Sequence, residues 1–189
     1  VNGSDTMQFQ NEVKNRDKRL GQTIRMAPYV RLNGTPAPPD FGHTNTGYQI
    51  LKFTTDDNSI DGITANFNSI PIFRYAEVLL NFAEAKAELG TFTQADWDQT
   101  IALLRKRAGI TDVSMPTTID AYMQNNFFSD VSSIAILEIR RERAIELADE
   151  GCRYDDLKRW KKGNLLENEY DGIYVPQAHV LLDLNDDGI

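Results

Sequence analysis

Residues 133–163, SIAILEIRRERAIELADEGCRYDDLKRWKKG, constrain this chain more than any other stretch. Ile134, Leu137, Ala144, Ile145 and Ala148 return to one face every 3.6 residues, which predicts an amphipathic helix that stops at Gly151. Tyr154, Leu157 and Trp160 predict a shorter second helix at a new angle. It closes in KKG, with cations in its last turn and Gly163 just beyond. Charge is dense on this apolar frame, alternates in sign from Glu138 to Arg159, and repeatedly sets opposite signs three or four residues apart. Two readings follow: a solvated, self-paired helix surface, or an internal ion-pair network that fixes the angle between the two helices.

The 189 residues suffice for one domain with a substantial core. With 28 acidic against 20 basic residues the formal charge is −8, so the molecule repels nucleic-acid phosphates and anionic membrane surfaces alike. The single cysteine, Cys152, has no partner for an internal disulfide and reads as a small buried thiol. No apolar run reaches membrane-spanning length, and VNGSDTMQFQ has neither the basic start nor the apolar centre of a signal peptide. The chain reads as part of a longer protein.

Three segments are expected: loop-rich 1–68, a helical core over 69–163 and an irregular tail over 164–189. In the first, a helix begins at Gln8 and ends in NRDKRL, and YQILKF is a candidate strand. Between them RLNGTPAPPDFGHTNTGYQ is dense in turn formers and makes a long loop. Phe41, His43 and Tyr48 sit there and Tyr29 just before it, where no helix obliges them to fill a core, and the four are the candidate ligand contacts; the competing role is to pin the loop to the body of the protein.

Ser69 and Pro71 suit the start of a central helix whose apolar residues run nearly all round before Gly90. Phe73, Val78, Leu79, Leu80 and Phe82 supply bulk, and alanines between them admit a close neighbour. Thr93 with Asp96 makes a capping box for a second helix with a stripe of Trp97, Ile101, Leu104 and Ala108, closed by Gly109. The pair forms an αα-hairpin resembling a tetratricopeptide-like unit. A short helix over 117–128 follows, and Ile173 to Val175 is a candidate strand. The expected fold class is mainly α: helical hairpins joined by long irregular loops.

The chain ends in D-x-N-x-D-G, with Asp183, Asn185 and Asp187 at alternate positions and Ile189 placed to offer its carbonyl. Such spacing begins calcium loops, which makes calcium the candidate cofactor; an Asx-rich polar turn is the other reading. Catalysis has little support. Glu138, Glu142 and Glu146 stand a helical turn apart but have arginines beside them, where a general acid needs the opposite. HExxH, GxSxG and phosphate-loop motifs are missing, and His43 and His179 lie far apart.

PIFRYAEVLLNFAEAKAELG, the following helix ending in LRKRAG, and above all RRERAIELADEGCRYDDLKRW with its E-G-x-R-x-x-D-L turn and closing RW resemble the C-terminal region of the SusD/RagB family. RDKRL, GYQILKF and the DLNDDG tail are similar to further family features. The resemblance implies a lipid-anchored protein on the extracellular face of the outer membrane. Such a protein binds a glycan without cleaving it and works beside a TonB-dependent, SusC-like transporter, with tetratricopeptide-like hairpins elsewhere in the whole protein. A scaffold that binds a peptide or protein partner is the alternative function. Since the shared residues are scaffold residues, Arg141, Glu142, Glu146, Arg153 and Asp156 are expected to be structural, setting the bend after Gly151 and docking Leu157 and Trp160 against the hairpin.

Overall fold

Helices and irregular loops carry the chain, and among the described residues no strand forms beyond isolated bridges. The computed structural model describes residues 6–61, 67–169 and 171–188. Two units separate: residues 71–168, and residues 1–70 together with 169–189. The fold is mainly α, as the periodicities predict.

In the second of these units, helices α1 (Phe9–Glu12) and α2 (Leu20–Thr23) replace the single helix expected from Gln8. Asn15 takes a left-handed φ of 56°, which ends the helical path, and the Asp17 carboxylate then turns the chain by accepting the Arg19 N–H at 2.9 Å. YQILKF yields one antiparallel bridge, Ile24 with Ile50, and left-handed Phe53 (φ 66°) stops pairing from spreading. Phe9, Val13 and Ile173 form the core. Residues 169–189, most of the irregular tail expected over 164–189, are part of this unit: the Ile173 N–H donates to the Thr46 carbonyl at 2.7 Å, and Lys14 pairs with Asp186 at 3.0 Å.

The other unit is built on α3 (Tyr75–Glu88), α4 (Gln94–Gln99), α5 (Ile101–Arg107), α6 (Ala121–Phe127), α7 (Ile134–Glu146) and α8 (Cys152–Arg159). The start of α3 lies beyond Ser69. Arg74 is its extended N-cap, and the Arg74 guanidinium binds Glu146 at 2.5 Å and Glu150 at 2.7 Å, so a tertiary contact sets the boundary. Only one face of α3 is buried, through Ala76, Leu80, Ala83 and Glu84; Phe73, Val78 and Phe82, expected as core bulk, are exposed. The α4–α5 stripe is buried as predicted, from Trp97 to Ala108, behind the Thr93–Asp96 capping box. Thr100 interrupts it by turning its hydroxyl onto the Asp96 carbonyl at 2.6 Å. Asp120 caps α6, Ser133 caps α7, and Gly151 with φ 80° lets the chain re-enter a helix at α8.

Helix α7 corrects the expected face. Of the expected stripe Leu137 is buried, whereas Ile134, Ala144, Ile145 and Ala148 are only partly covered, and Ile139, Glu142, Arg143 and Glu146 are buried in their place. The solvated reading fails for these charges, and most of their partners lie on other elements. Arg105 of α5 bridges Glu138 (2.7 Å) and Glu142 (2.9 Å). Glu146 takes Arg74 and Arg107, and Arg141 takes Asp120 and Glu138. Asp156 of α8 receives Arg143 and Arg159, while Glu84 of α3 receives Arg159 and the Trp160 Nε1–H. Arg153 differs from the other four residues nominated for the network: it is exposed, with its guanidinium 5.8 Å from the Trp160 ring centre. Cys152 is partly rather than fully buried, and burial pushes its thiol up from the ordinary value.

Candidate functional site

The loop after α2 holds all four candidate ligand contacts, and its hydrogen bonds divide them into two pairs. Tyr29 is half-buried, its hydroxyl donating to Asp56 at 2.8 Å beneath the Arg25 guanidinium. Arg31 fastens the same loop through the Asp56 carbonyl (3.1 Å), Asn58 (2.9 Å) and Asp61 (2.6 Å). Tyr48 meets Phe9 edge to face at 5.9 Å and donates its hydroxyl to Glu12 at 2.7 Å. Both tyrosines therefore do the pinning that competes with ligand contact.

Burial, followed by the bond to Glu12, pushes the Tyr48 phenol up to about 12. The folded value exceeds the ordinary one near 10, so whatever stability this phenol contributes is present below about pH 10 and is lost as the pH rises through about 12. In an absorbance titration one tyrosine should ionise last, near that value, and Tyr48→Phe should remove that step. Loss of a step near the ordinary value instead would show that burial and Glu12 do not hold this phenol up.

Phe41 and His43 face outward. The Phe41 ring is exposed, and the turn that carries both residues is held by Asp40. One Asp40 oxygen accepts the Gly42 N–H at 2.8 Å and the other meets His43 Nδ1 at 2.8 Å, while the Asp40 N–H donates to the Gln49 side chain at 2.8 Å. The Gly42 N–H, with His43 second, holds the Asp40 carboxyl below its usual range. With Nδ1 turned to a carboxylate, His43 keeps Nε2 for a partner from outside. The site thus offers a flat apolar ring and an oriented polar nitrogen two residues apart. Asp40 was missed by aromatic type alone; its spacing three residues before His43 is the signal that finds it.

A cavity of about 160 Å³ in the same unit is lined by other residues, among them Phe9, Gln10, Ile173 and Leu182. The C-terminal turn is closed by its own side chains: Asp183 accepts the N–H groups of Asp187 (3.2 Å) and Gly188 (3.0 Å), and Asn185 donates to Asp187 at 2.7 Å. Those bonds form the Asx-rich turn. Ile189, the expected carbonyl donor, lies outside the described residues, and among the described residues no group of three or more His, Cys, Asp or Glu side chains converges as for a metal ion.

The sequence profile of the SusD family matches residues 2–179. This chain belongs to the SusD family. A crystal structure of a SusD-like carbohydrate-binding protein from Bacteroides fragilis superimposes with a TM-score of 0.66 at 27% identity. The alignment covers 89% of this chain and 34% of that one, so the chain spans about a third of the length of its relative. None of the curated proteins matches. The SusD match includes the Phe41–His43 turn and the whole α3–α8 unit, and it ends before Asp183.

Proposed function

We propose that the protein binds a glycan at the cell surface, without turning it over, as the accessory component of a TonB-dependent uptake complex. The SusD-family match over residues 2–179 carries this reading, and the relative named as carbohydrate binding supports the ligand class. The Phe41–His43 turn suits it chemically, because a sugar presents an apolar face to a ring and hydroxyls to a fixed nitrogen. A non-catalytic role agrees with the engaged state of the α7 carboxylates: Glu138 is taken by Arg105 and Arg141, and Glu142 by Arg105. Among the described residues no helix is long and apolar enough to cross a membrane. Attachment to the outer membrane by a lipid anchor, facing outward, is the part of this reading that rests on family membership.

Calorimetry of the full-length protein against a panel of neutral polysaccharides tests the reading. Binding without cleavage products is expected, and Phe41→Ala should weaken it about tenfold, the loss of roughly 1.4 kcal/mol of ring contact. Released oligosaccharides would make the protein an enzyme. Tight binding to peptides alone would favour the scaffold function.

A further inference from the structure

A surface cleft of about 590 Å³ lies between α3 and the end of α8. Its charged walls are Glu84 and Glu88 from α3, Arg140 from α7, and Arg159 and Lys161 at the end of α8, with Asn81 beside them. Glu84, Arg159 and Asn81 are already committed. Glu84 is taken up by the forked Arg159 and by Trp160 Nε1–H at 2.6 Å, and Arg159 also holds Asp156. The Asn81 oxygen accepts from Arg143 at 2.7 Å, which leaves its NH₂ group as the remaining donor.

Arg140 and Lys161 are the two cations outside that set, and Glu88 is the anion. Arg140 is 93% buried, with ring centres of Phe128 and Trp160 4.9 and 4.7 Å from its guanidinium carbon. Its Nε and Nη1 have no hydrogen-bond partner, and its Nη2 stands 3.9 Å from the exposed Glu88 carboxylate, beyond bonding reach. Burial works against its charge. Nε and Nη1 are closed off from solvent, so Nη2 is the guanidinium nitrogen left to face the cleft, and a carboxylate accepting from it makes a charge-assisted hydrogen bond. Lys161 is exposed at the same cleft and supplies a second positive charge.

We propose that this cleft takes the carboxylate of an acidic sugar. Arg140 and Lys161 hold the carboxylate, the Asn81 NH₂ group donates to a ring hydroxyl, and the volume accommodates a sugar residue. That the ligand is a sugar rests on the glycan reading above; that it is a carboxylate rests on Arg140. Glu88 is the internal competitor, since a turn of its side chain would bring its own carboxylate to Arg140.

The test titrates the full-length protein with sodium glucuronate, glucose and sodium acetate, read by calorimetry and by the fluorescence of Trp160, whose ring lies against Arg140. Saturable glucuronate binding is expected, with acetate at least about tenfold weaker. Lys161→Gln should weaken glucuronate several-fold without moving the melting temperature, and Glu88→Gln should tighten it by removing the competitor. Arg140→Lys, which keeps the charge and withdraws the Nη2 donor from the cleft, should weaken it about tenfold. The response to glucose should be the same in Lys161→Gln as in the unsubstituted protein. The proposal is overturned if glucuronate does not bind, if acetate or chloride equals it, or if both Lys161→Gln and Glu88→Gln leave its affinity unchanged. Both side chains reach solvent, so those variants fold whatever Arg140→Lys does. Failure of the glycan reading shows separately, in the neutral-polysaccharide panel with Phe41→Ala.

Discussion

Asp156→Ala is expected to cost the fold about 3–5 kcal/mol, the range for removing one partner of a buried ion pair. Asp156 and Arg143 are both nearly inaccessible, and Arg143 Nε and Nη2 reach the two Asp156 oxygens at 2.9 Å each. With the carboxylate gone, Arg143 keeps Asn81 at 2.7 Å and Glu84 at 3.5 Å, while its paired edge faces an empty volume. Arg159 loses its 2.8 Å contact within α8 as well, so α8 loses its tie to α7 while Arg159 and Trp160 still hold Glu84 of α3. Urea unfolding should show the loss as a lower midpoint. A chain of this size should melt roughly 6–20 °C lower, at 2–4 °C per kcal/mol. Arg143→Met combined with Asp156→Leu should recover much of it, because two apolar groups leave no charge unanswered. A single-substitution cost below about 1 kcal/mol would place the pair in the class of surface salt bridges. Arg153→Ala belongs in that class, since Arg153 is exposed.

The contrast between Asp156 and Arg153 shows what a linear sequence conveys. Both stand in the same charged stretch, and nothing local separates the one that is buried from the one that is not. Where the core is apolar the reading is direct: the capping box at Thr93 and the stripe from Trp97 to Ala108 announce α4 and α5, because apolar periodicity and burial coincide there. In α7 they part company. Ile139, Glu142, Arg143 and Glu146 are buried, and a search for apolar periodicity selects a neighbouring face on which Leu137 is buried and the rest are half-covered. The reverse holds in α3, where Val78 and Phe82 are as apolar as Leu80 and remain exposed. The loop residues follow the same logic. Tyr48 differs from Phe41 through Glu12, 36 residues away, and Tyr29 through Asp56, 27 residues away; both partners are set by tertiary structure.

Gly47→Ala is expected to cost about 2–5 kcal/mol, summing a left-handed backbone penalty of about 1–2 kcal/mol with an overpacking penalty of about 1–3 kcal/mol. Gly47 has φ +84°, and a Cβ there would lie 2.7 Å from both Cγ1 and Cδ1 of Ile173. Ile173 is one of the buried residues on which its unit is built, and its backbone is tied to Thr46, immediately before Gly47. The side chain therefore has little room to yield. Gly34→Ala is the control: φ is +80° with nothing within 4 Å, so only the backbone term applies. Unfolding of the two variants side by side isolates the collision, and equal losses would refute it. Because the Phe41–His43 turn and Tyr48 lie in the same loop as Gly47, Gly47→Ala should also weaken glycan binding without touching the ligand, whereas Gly34→Ala should leave affinity close to that of the unsubstituted protein. If Gly47→Ala destabilised the protein and left glycan affinity intact, the ligand would be held elsewhere than on this loop.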